Sequence, residues 1–431
     1  MTANAEWAER DAAVVWHGFT QMSTFLEQSP IVVDRAEGHE VVDVDGNRYL
    51  DAISSLWVTT LGHRVPALDD AVRSQLDRVA HTTLLGHGNA VVVELAEALA
   101  AAAPVDRPHV MFASDGASAV EQALKMAFQL RVNEGAPERC RFLAFEGGYH
   151  GDSIGAMSLG GSGHGADVFA PLRFPVLRAP GFADPAALRV AAELVAVHAG
   201  ELTAVVVEPL VQGAAGMLMA PPEDFGALGR ACREHDVLLV CDEVATGFGR
   251  TGTLFACEQA GLRPDLLVVG KGLTGGYLPM SATLASGRVF DAFLGPEPGP
   301  AAFLHGHSFG GNALAAAVAL RHLRLLDELD VLANVAARSA QLGELLDRRL
   351  GPSPAVREMR VRGLMAGVEL ASPGPAARWG RRVCAAAVQA GVLLRPLGDV
   401  VVVMPPLTVG EAEVARIVDV LAAAVAEVAG R

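Results

Sequence analysis

The sequence predicts an α/β protein whose main sheet is mostly parallel. Five short apolar runs alternate with helix-compatible stretches, at residues 109–113, 141–145, 203–207, 237–241 and 265–269. Unbroken apolar runs are typical of strands buried on both faces, and their alternation with helices favours parallel pairing. The chain has 431 residues, 51% of them hydrophobic, which is enough for more than one hydrophobic core.

The two ends of the chain are predicted to form a second, smaller α/β domain. Residues 31–50 have the pattern of a hairpin with a turn at Asp45-Gly46, and strands are predicted near 362–369 and 400–404. The predicted organisation is a large domain over residues 60–315 and a small domain made of residues 1–59 and 316–431.

Two helices have clear signals of their own. In residues 66–79, Leu68, Val72 and Leu76 recur at helical spacing on one face. Thr408 and Glu411 have the spacing of a capping box, which predicts that the last helix begins there.

Charge and composition exclude several kinds of partner. The chain carries 34 basic and 49 acidic residues, a net charge of −15. Such a chain repels nucleic-acid phosphates and anionic lipids, so we expect neither nucleic acid nor a membrane as a partner. The five cysteines form no C-x-x-C pair, and the first ten residues do not look like a secretory leader. These features predict a cytoplasmic protein with reduced thiols.

Small and polar residues follow the predicted strands at what would be one edge of the sheet. In open parallel sheets, ligands bind outside the carboxyl ends of the strands. In chain order, the residues found there are Gly116-Ala117-Ser118, Tyr149, Glu208, Asp242 and Lys271. Small residues at a helix N-terminus suit a phosphate, and a lysine between glycines suits a Schiff base.

Together these groups meet the requirements of pyridoxal phosphate. That cofactor needs a phosphate site, a lysine amine and an acid against its pyridine nitrogen. Here these would be Gly116–Ser118, Lys271 and Asp242, with the acid keeping the ring nitrogen protonated. Each signal alone is weak, because a Gly-Lys-Gly segment is usually a turn and an acid after a strand is usually a helix cap. The prediction depends on their combination.

Over nearly its whole length the chain resembles the class III, pyridoxal-phosphate-dependent aminotransferases. The shared motifs are F-E-G-G-Y-H-G-D at 145–152, E-P-x-x-Q-G at 208–213, D-E-x-x-T-G-F-G-R-T-G at 242–252 and G-K-x-L-T-G-G at 270–276. It is closer still to the biotin-pathway branch, through W-H-G-F-T-Q-M at 16–22, S-S-L-W at 54–57 and L-R-P-L-G at 394–398. The resemblance implies fold-type I architecture, a homodimer with active sites at the subunit interface, and transfer of an amino group from a small-molecule donor to the keto acid 8-amino-7-oxononanoate.

The resemblance also implies roles for particular residues. Lys271 and Asp242 would be catalytic, with Tyr149 beside the cofactor ring. The implied cofactor-binding residues are Gly116, Ala117, Ser118, Tyr149, Glu208, Asp242, Val244, Lys271, His307 and Ser308, the last reaching the phosphate from the neighbouring subunit. The implied substrate-binding residues are Phe19, Trp57, Tyr149, Lys271, Gly306 and Arg395, with Arg395 holding the acceptor's carboxylate.

The sequence is compatible with more than one amino donor and more than one acceptor. Residues 18, 19 and 402 differ from those usual in the branch, which leaves the amino donor open between S-adenosylmethionine and lysine. A class III ω-aminotransferase acting on another amine or keto acid is the main alternative, and a cofactor-sensing binding protein is a non-enzymatic one.

Three further patterns have weaker interpretations. Residues 151–155 match the G-x-S-x-G nucleophile elbow, so a serine hydrolase using Ser153, Asp242 and His305 is a remote alternative, although the apolar run ends too early at residue 145. Residues 161–166 resemble a dinucleotide fingerprint without the required strand. The histidines, including His150, fit no metal-binding spacing, and we predict structural roles for them and no metal site.

Overall fold

The computed structural model describes residues 2–161, 166–297 and 299–430. Its strands are β1 Val33–Glu37, β2 Glu40–Asp43, β3 Arg48–Asp51, β4 His109–Ala113, β5 Arg141–Phe145, β6 Leu177–Ala179, β7 Leu202–Val207, β8 Val211–Gln212, β9 Leu218–Met219, β10 Leu238–Asp242, β11 Leu266–Val269, β12 Ser281–Ala285, β13 Val356–Arg362, β14 Met365–Leu370, β15 Val392–Leu393, β16 Arg395–Leu397 and β17 Val400–Val403. Its helices are α1 Ala3–Val14, α2 Ser54–Trp57, α3 Pro66–Leu76, α4 Ala90–Ala102, α5 Gly116–Asn133, α6 Ile154–Leu159, α7 Ala187–His198, α8 Phe225–Glu234, α9 Ala256–Gln259, α10 Gly287–Asp291, α11 Ala313–Glu328, α12 Val331–Leu350, α13 Trp379–Gln389 and α14 Glu411–Ala429.

The largest sheet has the strand order β4-β12-β11-β10-β7-β5-β6. Neighbouring strands from β11 to β6 are parallel, whereas β12 is antiparallel to both β11 and β4. The carboxyl ends of β4, β5, β7, β10 and β11 therefore share one edge. The mostly parallel sheet and its five predicted strands are confirmed.

Strand β12 was not predicted, because its sequence S-A-T-L-A is neither long nor strongly apolar. All five residues are nevertheless buried. The hydroxyl of Ser281 donates to the carbonyl of Asp115 at 2.6 Å, and that of Thr283 donates to the carbonyl of Ala119 at 2.8 Å. Polar side chains are thus tolerated in the centre of the sheet because α5 supplies acceptors for them.

Both ends of the chain contribute to the smaller sheets. Strands β1, β2 and β3 are antiparallel neighbours, and β15 from the C-terminal third pairs with β3. Strands β13, β14, β17 and β16 form another sheet. This arrangement agrees with a small domain drawn from both termini, whereas the boundaries at 59/60 and 315/316 stay a prediction.

The predicted capping box at the last helix is wrong. Helix α14 begins at Glu411 with Gly410 as its N-cap, and the amide of Gly410 donates to the carboxylate of Glu413 at 2.7 Å. The hydroxyl of Thr408 instead lies 2.9 Å from Nε2 of His39. The Thr408 side chain therefore makes a tertiary contact and does not cap helix α14.

Helices cover the large sheet and connect it to the rest of the molecule. Helix α5 packs against β12 and β11, and α11 packs against α3, α4 and the 3₁₀ turn Lys271–Thr274. The strands β7, β10, β11 and β12 are buried along their whole length. No helix in the described parts of the chain has the length and apolar character needed to cross a membrane.

Candidate active site

A cavity of about 590 Å³ opens at the carboxyl edge of the large sheet. The predicted site residues that line it are Phe19, Trp57, Gly116, Ala117, Ser118, Tyr149, Glu208, Asp242, Val244, Lys271 and Arg395. These residues come from the segments after the strand ends, from the N-terminal segment that contains Phe19, from the non-helical segment Ser54–Trp57 and from strand β16. The structure therefore brings together groups that are up to several hundred residues apart in sequence.

The N-terminus of α5 forms one side of the cavity. Asp115 is the N-cap, and its carboxylate accepts hydrogen bonds from the amide and the hydroxyl of Ser118, at 2.9 and 2.8 Å. A Cβ placed on Gly116 would lie 2.7 Å from Cγ1 of Val244, so only glycine fits there. The first-turn amides of a helix have no intrahelical acceptors, and together with the helix dipole they suit a phosphate.

Asp242 lies at the end of β10 and is paired with His150. Oδ2 of Asp242 is 2.6 Å from Nδ1 of His150, and both side chains are buried. Burial alone would lower the pKa of His150, but the hydrogen bond and the charge of Asp242 raise it. The other carboxylate oxygen accepts from the amide of Val244 at 3.1 Å. His150 is therefore a partner of the candidate catalytic acid, a role that its sequence context did not reveal.

Glu208 follows β7 and organises the loop that carries Tyr149. Its carboxylate accepts from the amides of Tyr149 at 3.0 Å and of Gly213 at 3.2 Å. Burial raises the pKa of Glu208 to about 7. Burial, with the nearby Asp152, also raises the pKa of Tyr149, so this phenol stays protonated.

Lys271 extends into the cavity from a strained backbone. Its φ is +41°, in the left-handed region that side chains other than glycine rarely adopt. Burial lowers the pKa of Lys271, although the charges of Asp242 and Glu208 act in the opposite direction. Its Nζ makes no hydrogen bond with the described residues and lies 5.2 Å from the ring centroid of Trp57. A lysine in this state can lose its proton and act as a nucleophile or a base.

The aromatic wall of the cavity consists of Trp57 and Phe19. Trp57 is 8% exposed, and a Cβ on Gly213 would lie 3.3 Å from its ring. Its indole nitrogen is buried and has no hydrogen-bond partner in the described structure. Phe19 is more open, at 67% exposed. This wall of the cavity is therefore apolar, apart from the indole N–H of Trp57, which is free to donate a hydrogen bond.

Arg395 on β16 supplies a positive charge to the same cavity. No acidic side chain among the described residues forms an ion pair with it. A guanidinium that lines a cavity without a protein partner is suited to a ligand carboxylate. This geometry favours the predicted anchoring role over a structural ion pair.

Gly306, His307 and Ser308 do not line this cavity within one chain. The carbonyl of Ser308 lies 2.8 Å from Nε2 of His81, and the His307 ring contacts that of His305 at a centroid distance of 5.3 Å. Their predicted contribution to the site of a neighbouring subunit stays a prediction.

The other patterns noted in the sequence do not form catalytic sites here. Ser153 is the N-cap of α6, and its hydroxyl donates to the carboxylate of Glu121 at 2.7 Å. Nδ1 of His305 lies 3.3 Å from Nζ of Lys125 instead. This geometry does not support a serine hydrolase. Most of the dinucleotide-like segment, residues 162–165, lies outside the described residues.

The residues of this cavity match what pyridoxal phosphate requires of a binding site. A helix N-terminus where only glycine fits, an unbonded lysine amine and a buried carboxylate all face one cavity. The group's phosphate, aldehyde and ring nitrogen require these three features. The residues present therefore fit the cofactor.

Known proteins that are similar to this chain are aminotransferases. The family model "Aminotransferase class-III" matches residues 23–425. An adenosylmethionine-8-amino-7-oxononanoate aminotransferase from Nitratidesulfovibrio vulgaris is 46% identical, covering 96% of this chain and 80% of the relative. The crystal structure of an enzyme of the same name from Methanocaldococcus jannaschii has a TM-score of 0.95 at 36% identity, covering 98% of this chain and 99% of that one.

A second structural neighbour informs on the cofactor. An amine transaminase from an uncultivated Pseudomonas species, solved in its PLP-bound form, has a TM-score of 0.89 at 33% identity and covers 96% of this chain and 98% of that one. Both neighbours share the α/β architecture predicted from the sequence. The family match spans most of the chain, and this protein belongs to the class III aminotransferases.

Proposed function

We propose that this aminotransferase uses pyridoxal phosphate to transfer an amino group from S-adenosylmethionine to 8-amino-7-oxononanoate, giving 7,8-diaminononanoate for biotin synthesis. Lysine remains the alternative donor. The observation that carries the substrate assignment is the unpaired Arg395 in the cavity that also contains Lys271 and an apolar wall. A long apolar keto acid with a terminal carboxylate matches this combination, since its chain needs apolar contacts and its carboxylate needs a cation.

The bound cofactor would supply an aldehyde that carries the amino group and a protonated ring that takes up electrons from the substrate carbon. The N-terminus of α5, from Gly116, would bind its phosphate. The Asp242–His150 pair would hold a proton on the ring nitrogen, with Nδ1 of His150, 2.6 Å from Oδ2 of Asp242, fixing the orientation of the carboxylate. Tyr149 and Val244, which line the cavity, would pack against the ring.

Lys271 would perform the proton transfers. Its Nζ would take the proton from the substrate carbon and return it on the cofactor side, and burial, which lowers the pKa of Lys271, favours the neutral amine that this role needs. Trp57 would exclude water from the reacting atoms and contact the substrate chain. Arg395 would fix the acceptor's carboxylate, which places the keto group at a constant distance from Lys271.

The protein is further proposed to act in the cytoplasm as a homodimer whose subunits share their active sites. In one chain, Gly306, His307 and Ser308 lie outside the cavity, and Leu304 and Phe309 beside them are 95% and 64% exposed. A second copy covering this segment would bury these apolar side chains. Sedimentation of the purified protein tests this, and a monomeric active enzyme would contradict it.

The substrate assignment is tested by separate half-reactions. The purified, cofactor-loaded enzyme is mixed with S-adenosylmethionine, lysine, ornithine or 4-aminobutyrate, and the visible absorbance of the bound cofactor is followed. The amino-loaded enzyme is then mixed with 8-amino-7-oxononanoate or with shorter keto acids. We expect S-adenosylmethionine or lysine to react in the first step and 8-amino-7-oxononanoate to react fastest in the second. Equal reaction with ornithine, 4-aminobutyrate and short keto acids would support the ω-aminotransferase alternative.

A further inference from the structure

The segment Ser54–Trp57, given above as the short helix α2, has a backbone that is not helical at Ser55 and Leu56, and it is called the loop 54–57 from here on. Ser54, Ser55 and Trp57 have φ values of +50°, +60° and +66°. Ser55 combines its φ with a ψ of −78°, a conformation that is rare and strained for residues with a side chain. Such a backbone persists only where the surrounding structure holds it, so the groups that hold this loop determine where Trp57 lies.

Asp51 is the group that holds Ser55. This side chain is 1% exposed, and its carboxylate accepts from the amide of Ser55 at 2.7 Å and from the amide of Ile53 at 3.3 Å. Nε2 of His63 lies 3.0 Å from the same carboxylate. The backbone of His63 is itself fixed by a bridge to Gly38. Asp51 thus connects the strained loop to the small sheet.

Ser54, the residue before Ser55, is held by contacts from distant parts of the chain. The hydroxyl of Ser54 donates to the carbonyl of Met404 at 2.7 Å and accepts from Arg250 at 3.3 Å. With Ser54 and Ser55 both held, little freedom remains for Trp57, whose amide donates to the carbonyl of Ile53 at 2.9 Å. The ring then lies next to Gly213, with its centroid 5.2 Å from Nζ of Lys271.

We infer that the buried Asp51–His63 pair is a positioning device for the substrate: it maintains the strained loop 54–57 and so places Trp57 where it selects the acceptor chain. The inference rests on the proposed function for the identity of the acceptor. Asp51 acts only through Trp57 and is not among the residues that line the cavity, so its effect on the Michaelis constant for the acceptor is larger than its effect on the chemical step.

The variant Asp51→Asn tests this inference. It keeps the shape of the side chain, but only one of its two terminal atoms can still accept from the amides of Ile53 and Ser55 and from His63. The holoenzyme is prepared with 5-fluorotryptophan, whose four ¹⁹F resonances report the four tryptophans. The Trp57 resonance is assigned by its loss in Trp57→Phe. In Asp51→Asn we expect this resonance alone to shift or broaden. We also expect KM for the acceptor to rise about tenfold, with kcat within about threefold.

A rescue variant distinguishes positioning from general destabilisation. Glycine adopts positive φ without strain, so Ser55→Gly makes the loop less dependent on the carboxylate. The double variant Asp51→Asn/Ser55→Gly should therefore recover part of the Trp57 resonance position and of KM.

Asp43→Asn is the matched control. Asp43 is 2% exposed, and its carboxylate accepts from the amide of Asn47 at 2.8 Å and from the hydroxyl of Tyr49 at 3.0 Å, in the same small sheet. Replacing the Asp43 carboxylate should lower the unfolding temperature without shifting the Trp57 resonance or changing KM for the acceptor.

The inference is overturned if Asp51→Asn leaves the Trp57 resonance and KM unchanged, or if Asp43→Asn changes them equally. If Asp51→Asn does not fold, His63→Gln replaces it, and an unmoved Trp57 resonance there overturns the inference as well. If the unmodified enzyme fails to use 8-amino-7-oxononanoate, the proposed function fails, while the ¹⁹F comparison still decides the role of Asp51.

Discussion

The carboxylate of Asp242 and the imidazole of His150 form a buried pair at 2.6 Å. We expect His150→Leu to lower kcat about 10- to 100-fold, because the buried carboxylate of Asp242 then loses the hydrogen-bond partner that orients it. Asp242→Asn, which removes the charge, should lower kcat further. His150→Asn can still donate near the Nδ1 position and should be less severe. Stopped-flow measurement of the donor half-reaction checks that the rate falls most in Asp242→Asn, less in His150→Leu and least in His150→Asn. A wild-type kcat in His150→Leu would contradict the role of His150.

Lys271→Ala should bind the cofactor but lose transamination by about a thousandfold or more. The phosphate site at α5 and Asp242 remain, whereas the amine that moves the proton is gone. Equilibrium dialysis with pyridoxal phosphate and the donor half-reaction rate measure the two properties separately. Turnover within tenfold of the parent would remove Lys271 from its assigned role.

Arg395→Ala should weaken acceptor binding about 30- to 150-fold, which corresponds to the loss of about 2–3 kcal/mol from a charge-assisted hydrogen-bonded pair. The donor half-reaction should change much less. Arg395→Lys keeps the charge without the planar fork and should be intermediate. Comparable losses in both half-reactions would show that Arg395 is not a selective anchor for the acceptor.

Gly116→Ala should weaken cofactor binding about tenfold, because the new methyl group would lie 2.7 Å from Val244 and displace the first turn of α5. Val244→Ala in the same chain makes room for that methyl group and should restore part of the affinity. The single variant Val244→Ala is the control. Cofactor titration by fluorescence quenching measures all three, and an unaffected Gly116→Ala enzyme would exclude this steric explanation.

Glu208 should make folding stability depend on pH. Burial raises its pKa to about 7 from 4.5, so the folded state holds a proton that the unfolded state has released between these values. Its contribution is fully present below about pH 4.5 and is lost as the pH rises through 7, by about 3 kcal/mol at most. Glu208→Gln cannot titrate. Urea unfolding from pH 5 to 8 should therefore show a smaller loss of stability in this variant than in the parent, and parallel pH profiles would contradict the prediction.

Local patterns predicted five strands of the large sheet and the residues at their carboxyl ends, whereas Phe19, Trp57, Val244 and Arg395 were predicted only from the family resemblance. Apolar runs gave β5 with its observed bounds, and strand order placed Asp242 and Lys271 at the same edge. The role of His150 was missed, because the direction of a side chain after a glycine-rich turn depends on which carboxylate lies opposite.

The strained loop 54–57 could not be predicted for a related reason. Local conformational preferences disfavour positive φ at serine and tryptophan. Side-chain contacts reverse that preference here, from Asp51 to Ser55 and from Ser54 to the distant carbonyl of Met404. The same holds for Thr408, whose hydroxyl contacts His39 instead of capping a helix. Where distant parts of the chain compete with local patterns, sequence reasoning fails.

The position of β12 has a consequence for the order of folding. This strand lies between β4 and β11, and its Ser281 also bonds to the N-cap residue Asp115. A nascent chain that has emerged only as far as β11 already includes Gly116 and Asp242. It still lacks β12, the strand that holds β4 and the start of α5 next to β11 and β10. The phosphate site is therefore completed late in synthesis, and a cofactor added to a ribosome-bound chain should be retained only after Ala285 has left the exit tunnel.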